Sequence, residues 1–407
     1  MSTSAERPGS PGSRLRPPVA LAVYASASVA FMVAASAPTP LYRLYQQAWG
    51  FSSTVLTVVF SAYALVLLLT LLVLGRLSDY IGRRPLILLA LGLQSVAMGL
   101  FLVAGDAEGL LAARMVQGAA TGAATAALGA ALLDLGQERG ALINGLAPMV
   151  GMGLGAIGST ALVALAPAPL RTVFALLLAI FLALFALVWR APETVARRAG
   201  AMASLRPRVS VPRQVRAALL SVTPANTAVW MLGGLYLSLM PSLVASVMRT
   251  DSPWLAGFVV AGLTLSGAAG GLVVRGWATF SILLAGELAL GAGLLAVLFG
   301  INMGAGTALL LGSICAGFGF GTTFLGAVRS IMPLALPNER GALMGAFYLQ
   351  SYLSNSVPTM AAGYLAQRVG VLPAANIYGA VILVLVLLSL ALLWRRRSRR
   401  QGHPEAC

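Results

Sequence analysis

The chain contains no lysine, one histidine, two cysteines and only 11 acidic residues among its 407. Each shortage removes a class of chemistry. Cys315 lies inside an apolar run and Cys407 is the last residue, so the pair has neither the spacing of a disulfide framework nor that of a metal site. His403 stands near the terminus and leaves no His/Cys cluster within the apolar body. No metal, redox group or other cofactor is expected. Charged residues are 9% of the chain, against roughly 25% in soluble domains, which speaks against a soluble enzyme. The net charge of +16 arises from 27 arginines outnumbering the acids. Nucleic-acid binding would need those arginines on one face beside base-contacting or stacking groups. They stand instead between hydrophobic runs, so no nucleic-acid partner is expected.

What the sequence has is hydrophobic length. Hydrophobic residues make up 59% of it, and a spanning helix needs about 20 of them. Twelve spans fit, at about 19–39, 53–74, 85–105, 109–133, 142–165, 171–189, 217–247, 254–274, 277–299, 306–328, 341–365 and 374–394. Continuous apolarity without period-2 alternation argues against a β-barrel. The expected class is an all-α membrane protein whose first partner is the lipid bilayer. Residues 1–18 are polar and proline-rich and read as a disordered tail. A signal peptide is the competing reading, because Ala34–Ser36 mimics a cleavage site, but the run is too long and too many spans follow.

Arginine resists translocation and accumulates on the cytoplasmic side. With both termini inside, 22 of the 27 arginines fall in cytoplasmic segments, while Arg43, Arg171, Arg249 and Arg368 fall outside and Arg114 lies within a span. The expected location is the inner (cytoplasmic) membrane, multi-pass, with both termini cytoplasmic. Tyr42, Tyr45 and Trp49 follow the first span and are expected at the outer headgroup layer.

The basic, proline-rich stretch 191–216 divides the spans six and six. The reading is a tail 1–18, a first half 19–190, a cytoplasmic linker 191–216, a second half 217–394 and a basic tail 395–407. Glu138-Arg139-Gly140-Ala141-Leu142 recurs as Glu339-Arg340-Gly341-Ala342-Leu343, an offset of 201 residues. Parallel repeats of six spans are built around a midplane substrate site between the halves.

After the second span the text reads Gly75-Arg76-Leu77-Ser78-Asp79-Tyr80-Ile81-Gly82-Arg83-Arg84-Pro85. This resembles the loop signature G-x-L-x-D-x-x-G-R-R-P of the major facilitator superfamily, with seven defined positions in agreement. Gly75 and Gly82 permit a tight reversal, and Pro85 suits the first turn of the next helix. The resemblance implies twelve transmembrane helices in two six-helix pseudo-symmetric halves and a cytoplasmic latch of Asp79, Arg83 and Arg84. Asp134 is expected to pair with Arg139 or with the loop arginines. Arg139 and Arg340, with their glutamates, are candidates to zip the halves together when the inner gate closes. The plain alternative is solvated charge near helix N-termini.

In the fourth span, Arg114-Met115-Val116-Gln117-Gly118 resembles the family's R-x-x-Q-G element. A cation within a span costs about 2.5–3.5 kcal/mol and ordinarily faces an aqueous cavity. The resemblance assigns such an arginine to proton coupling or to substrate anion contact. The alternative is an arginine snorkelling to the outer interface. Glu287, midway along the ninth span, is the only carboxylate deep within a span. It suits a proton carrier, yet the fold puts that helix at the periphery, so a structural acid bonded to neighbouring helices is the equal reading. The first span carries no acid, and the fifth lacks the G-P-x-x-G-G element of antiporter members.

Candidate cavity-lining residues are Tyr24 and Met32, Gln117 and Thr121, Met152, Asn226, Trp230 and Tyr236, Phe320, and Tyr348, Tyr352 and Asn355. Helical periodicity puts Tyr348, Tyr352 and Asn355 on one face and turns Gln350 away. The expected function is secondary transport of a small molecule by alternating access: proton-coupled export of a drug or metabolite, or else uptake of a sugar or organic acid. A receptor or enzyme on the same fold is the remote alternative. No nucleophile–base pair is visible in the spans, and a monomer is expected.

Overall fold

Prolines and capping residues cut the apolar sequence into helices, and the computed structural model describes residues 15–207, 209–249 and 252–401, with side chains only to 395 in the last segment. Most of the expected tail 1–18, Arg208 of the linker and the end of the basic tail lie outside the described residues. The first half comprises α1 (Pro17–Ser36), α2 (Tyr42–Trp49), α3 (Ser53–Leu74), α4 (Ser78–Ile81), α5 (Arg83–Val103), α6 (Ala107–Leu135), α7 (Gln137–Leu165) and α8 (Pro169–Trp189). After the short α9 (Ala201–Ser204) come α10 (Arg213–Ser238), α11 (Met240–Met248), α12 (Trp254–Val273), α13 (Thr279–Met303), α14 (Gly306–Ile331), α15 (Arg340–Val369) and α16 (Val371–Gln401).

Twelve of these helices have 20 residues or more, as expected. Eleven are also apolar enough to cross a membrane by composition. The exception is α15, where Gln350, Ser351, Ser354, Asn355, Ser356 and Thr359 dilute the hydrophobicity. That polarity is spent between helices: Ser351, Asn355, Ser356 and Thr359 are all buried.

Local chemistry sets the boundaries. Ser52 accepts a hydrogen bond from the Val55 amide at 3.3 Å, and Asp106 from that of Gly109 at 2.7 Å, capping α3 and α6. Two expected boundaries are corrected. The first span ends at Ser36 rather than 39, because Pro38 has no N–H with which to continue the helical ladder. The seventh span, expected unbroken to 247, breaks at Leu239 for the same reason: Pro241 follows in the first turn of α11.

Within the halves, α3 and α5 pack on α6, α1 on α7, and α12 and α13 on α14. Gly118 and Gly122 make the α3–α6 contact close, since a Cβ at either would collide with the backbone carbonyls of Tyr63 and Leu67. Between the halves, α3 packs on α15 and α7 on α12. Hydrogen bonds cross there from Thr54 to Gln367 (2.5 Å), from Ser61 to the Ser356 carbonyl (3.2 Å) and from Ser242 to Gln46 (3.2 Å). These bonds lie toward the face opposite the arginine-rich loops. Tyr42 and Tyr45 are 1% exposed in the packed core of that end, so they are not the headgroup anchors expected of them.

Candidate functional site

The two proline breaks leave main-chain oxygens without helical partners, and polar side chains fill them. In a continuous helix the Ala34 carbonyl would accept from residue 38, but Pro38 has no N–H. Gln117 Nε2 donates to that carbonyl instead, at 2.8 Å. Arg114 Nη1 donates to the next carbonyl, Ala35, at 3.3 Å and to Gln117 Oε1 at 2.6 Å. Ser159 donates to the Ala37 carbonyl at 2.6 Å. At the second break Pro241 frees the Leu237 carbonyl, and Thr39 donates to it at 3.0 Å across the two halves. Broken helices whose exposed ends face a midplane site are a device of secondary transporters.

Arg114 is 0% exposed, so it does not snorkel. Its guanidinium carbon lies 4.1 Å from the Tyr63 ring centroid and 5.9 Å from that of Phe60, an attractive cation–π arrangement. The carbonyl end of α1 adds favourable partial negative charge. Nε and Nη2 have no partner among the described residues. A buried donor without a partner is costly, and these two donors lie side by side on one edge of the guanidinium, the fork that a bidentate acceptor takes.

From Tyr63 an aromatic row leads into the second half. Tyr352 packs against the cluster of Tyr63, Ala64 and Leu67. Its ring centroid is 4.8 Å from Trp230 and 6.2 Å from Tyr348, and Trp230 lies 6.2 Å from Phe324. Trp230, Tyr348 and Tyr352 are half-buried, and the Trp230 ring nitrogen has no partner among the described residues. Beside the row runs a polar belt between α10 and α15. Asn226 donates to Gln350 and to Ser351 (2.8 Å), Gln350 to Thr227 (2.7 Å) and Ser354 (3.0 Å), and Asn355 to the Trp230 carbonyl (3.1 Å).

Of the residues singled out in the sequence, Arg114, Gln117, Asn226, Trp230, Tyr348, Tyr352 and Asn355 therefore converge on this region. Thr121, one turn below Gln117, bonds the Gln117 carbonyl at 2.9 Å. Others are spent elsewhere. Tyr24 donates to the Pro192 carbonyl at 3.3 Å and Tyr236 pairs with Ser313 at 2.7 Å, whereas Phe320, one turn before Phe324 on α14, lies with Asn355 against Gly233 at the edge of the region. Met32 lies at the α1–α7 contact, beside Gly151, and the Met152 carbonyl accepts from Ser36 at 2.8 Å. Nothing in the sequence marks Tyr63, Phe60, Phe324, Thr227 and Ser354, which the fold brings to the same region. Aromatics in an unbroken apolar run carry no periodic signal of which helix they will face.

The arginine-rich face carries a second cluster. Arg83 pairs with Asp79 and, at 3.3 Å, with Asp134, and donates to Ser78 at 2.7 Å. Thr194 donates to Asp134 at 2.8 Å. The Glu193 carboxylate accepts from the Arg83 and Arg84 amides at 2.8 and 3.1 Å, capping α5. Gly82, at φ +100°, makes room, since a Cβ there would strike that carboxylate. Gly75, by contrast, keeps an ordinary helical φ of −56°. Asp79 and Asp134 thus gather on Arg83, as expected. Arg139 and Arg340 do not join the cluster: both are exposed, and neither makes an ion pair among the described residues. The expected zip between the halves is absent from this arrangement, in which the halves meet on the opposite face. Glu287 also stands apart, between α13 and α16, where Ser389 donates to it at 2.9 Å.

Residues 23–357 match the family model described as Major Facilitator Superfamily. No match is found among curated protein sequences. Among solved structures, a point mutant of the nucleoside transporter NupG is similar with a TM-score of 0.71 and 12% identity, covering 92% of this chain and 99% of that one. The human organic anion transporter MFSD10 (TETRAN) is similar with a TM-score of 0.64 and 18% identity, covering 92% and 100%. At such identities the likeness is one of fold.

Proposed function

Because the chain belongs to the major facilitator superfamily, and is therefore a multi-pass membrane transporter of small molecules rather than an enzyme, we propose that it exports an anionic drug or metabolite in exchange for protons. The observation that carries this reading is the Arg114 guanidinium, fully buried, held by Ala35 and Gln117 and left with Nε and Nη2 unpartnered on one edge. A carboxylate or phosphate accepts from such a fork in bidentate fashion. The half-buried rings of Tyr352, Trp230 and Tyr348 offer apolar surface for the body of an amphiphile. Small-molecule sites are built in this way, mostly apolar with a few placed polar groups.

In this reading the arginine-rich face is cytoplasmic, both termini lie inside, the membrane is the inner one and the protein works as a monomer. The bonds between α3 and α15 and between Thr39 and Leu237 are the outer gate, closed here. The Asp79–Arg83–Asp134 cluster stiffens the first half while the halves rock. A second reading, uptake of a sugar or organic acid, is favoured by the amide and hydroxyl belt of Asn226, Thr227, Gln350 and Ser354, which suits a hydroxylated substrate.

Lumenal pH in proteoliposomes, followed while organic anions and sugars are added under an imposed proton gradient, separates these readings. Export predicts proton movement opposite to an anionic substrate, and uptake predicts movement with it. Substrate-independent pH traces, or full transport by Arg114→Ala, would contradict the assignment.

A further inference from the structure

The second half holds a cavity of about 560 Å³, opening on the arginine-rich face between the starts of α10 and α13 and the ends of α14 and α16. Its polar lining includes Ser221, Thr279, Ser281, Arg329 and Ser389, and it reaches Glu287. Glu287 lies eight residues along α13 from Thr279, about 12 Å of helix. Its side chain is 1% exposed. Ser389 donates to Oε1, while Oε2 has no partner among the described residues.

A carboxylate removed from water is tolerated when a cation or a set of donors compensates it. Here one hydroxyl does so on one oxygen only. Around α13, α14 contributes Arg329 and Ser330 to this cavity, α16 contributes Ser389 and α10 contributes Ser221, while the unpartnered hydroxyl of Thr323 on α14 lies outside the lining, against Gly286. Among the described residues, Arg329 is the only other charged residue lining the cavity, and it makes no ion pair with Glu287. The carboxylate is therefore under-compensated, and the cavity that reaches it extends toward the arginine-rich end of these helices, with Ser221, Thr279, Ser281 and Arg329 among its apolar lining.

We propose that this cavity is a proton site separate from the substrate region, in which Glu287 takes up a proton from the arginine-rich, cytoplasmic side and Ser389 fixes the carboxyl. The inference deepens the proton-coupled reading above and rests on it. One helix links the two regions: on α14, Thr323 abuts Gly286 beside the acid, and Phe324, the next residue, meets Trp230 in the aromatic row. Loading the acid is thus felt where the substrate is held, without the proton crossing the Arg114 region.

The direct test is infrared difference spectroscopy of the full-length protein in lipid as pH is stepped. The wild type should show a protonated-carboxyl carbonyl band that titrates, is lost in Glu287→Gln and moves in frequency in Ser389→Ala. An unchanged band in Glu287→Gln would overturn the proposal. So would suppression of the band by sodium at fixed pH, which would make the site one for a metal cation. Access is read with Ser281→Cys in a Cys315→Ser, Cys407→Ser background: an impermeant maleimide should react from the arginine-rich face, and reaction solely from the other face contradicts the route. In proteoliposomes, Glu287→Gln should keep substrate counterflow and lose substrate-driven proton movement to the protein-free level. If the wild type moves protons and Glu287→Gln moves as many, this inference fails alone. If the wild type moves none, the coupling reading fails, and loss of the infrared band still decides whether Glu287 binds the proton.

Discussion

The two halves share an architecture and differ in their buried charge. Each breaks its first long helix at a proline, Pro38 in one and Pro241 in the other, and follows it with a short helix, α2 or α11. At both breaks a carbonyl orphaned by the proline accepts from a side chain, Ala34 from Gln117 and Leu237 from Thr39. The first half, however, buries a cation, Arg114, and the second buries an acid, Glu287. The repeat preserves backbone chemistry because the fold depends on it. The buried charge is where the halves differ, and it is on this difference that the proposed division of labour rests: anion contact in the first, proton binding in the second.

The comparison can be broken from either side. The largest effect is expected for Arg114→Ala. Truncating one partner of a buried charged contact costs about 2–5 kcal/mol, so transport per inserted protein should fall on the order of 100-fold, with Arg114→Lys recovering part of it. Near wild-type flux would remove the first half's assigned role. Next is Glu193→Ala, which strips the cap from α5. A loss of about 1–2 kcal/mol is expected, seen as a lower unfolding temperature in detergent, whereas no change would mean that Gly82 and Glu193 meet without consequence.

Thr39→Val sharpens the comparison at the breaks themselves. It leaves the Leu237 carbonyl unpaired at a cost of about 1 kcal/mol, which loosens the closed side. Faster labelling of a Gln46→Cys reporter from the face opposite the arginine-rich loops is the expected readout. The smallest effect belongs to Arg139→Ala and Arg340→Ala. Both residues are exposed and without an ion-pair partner among the described residues, so stability should stay within about 0.5 kcal/mol and transport should be unchanged. A large loss would restore the zip between the halves that the sequence suggested.

Much of this is legible in the sequence. Long apolar runs specify spans because a backbone in lipid must satisfy its own hydrogen bonds, and the loop text after the second span is dense enough to identify the family. Arg114 and Gln117 stand out because polar groups in a span are expensive. The breaks at residues 37 and 239 are hidden, since Pro38 and Pro241 sit inside continuous apolar runs and prolines are tolerated within spans, as Pro148, Pro224 and Pro358 are inside α7, α10 and α15. Tyr63 and Phe324 are invisible for another reason: in a helix apolar all round, sequence does not say which face meets a neighbour. Tyr42 and Tyr45 are misplaced by the same blindness, because amphipathic rings beside a span fit either a headgroup layer or a packed plug.

The account turns on this division between a substrate half and a proton half. The measurement that tests it most directly is paired recording of substrate flux and lumenal pH in proteoliposomes carrying wild type, Arg114→Ala or Glu287→Gln at matched protein content. The account predicts that Arg114→Ala loses both signals and that Glu287→Gln keeps substrate exchange while losing proton movement. Equal proton movement per substrate in Glu287→Gln and wild type, or undiminished flux in Arg114→Ala, would contradict it.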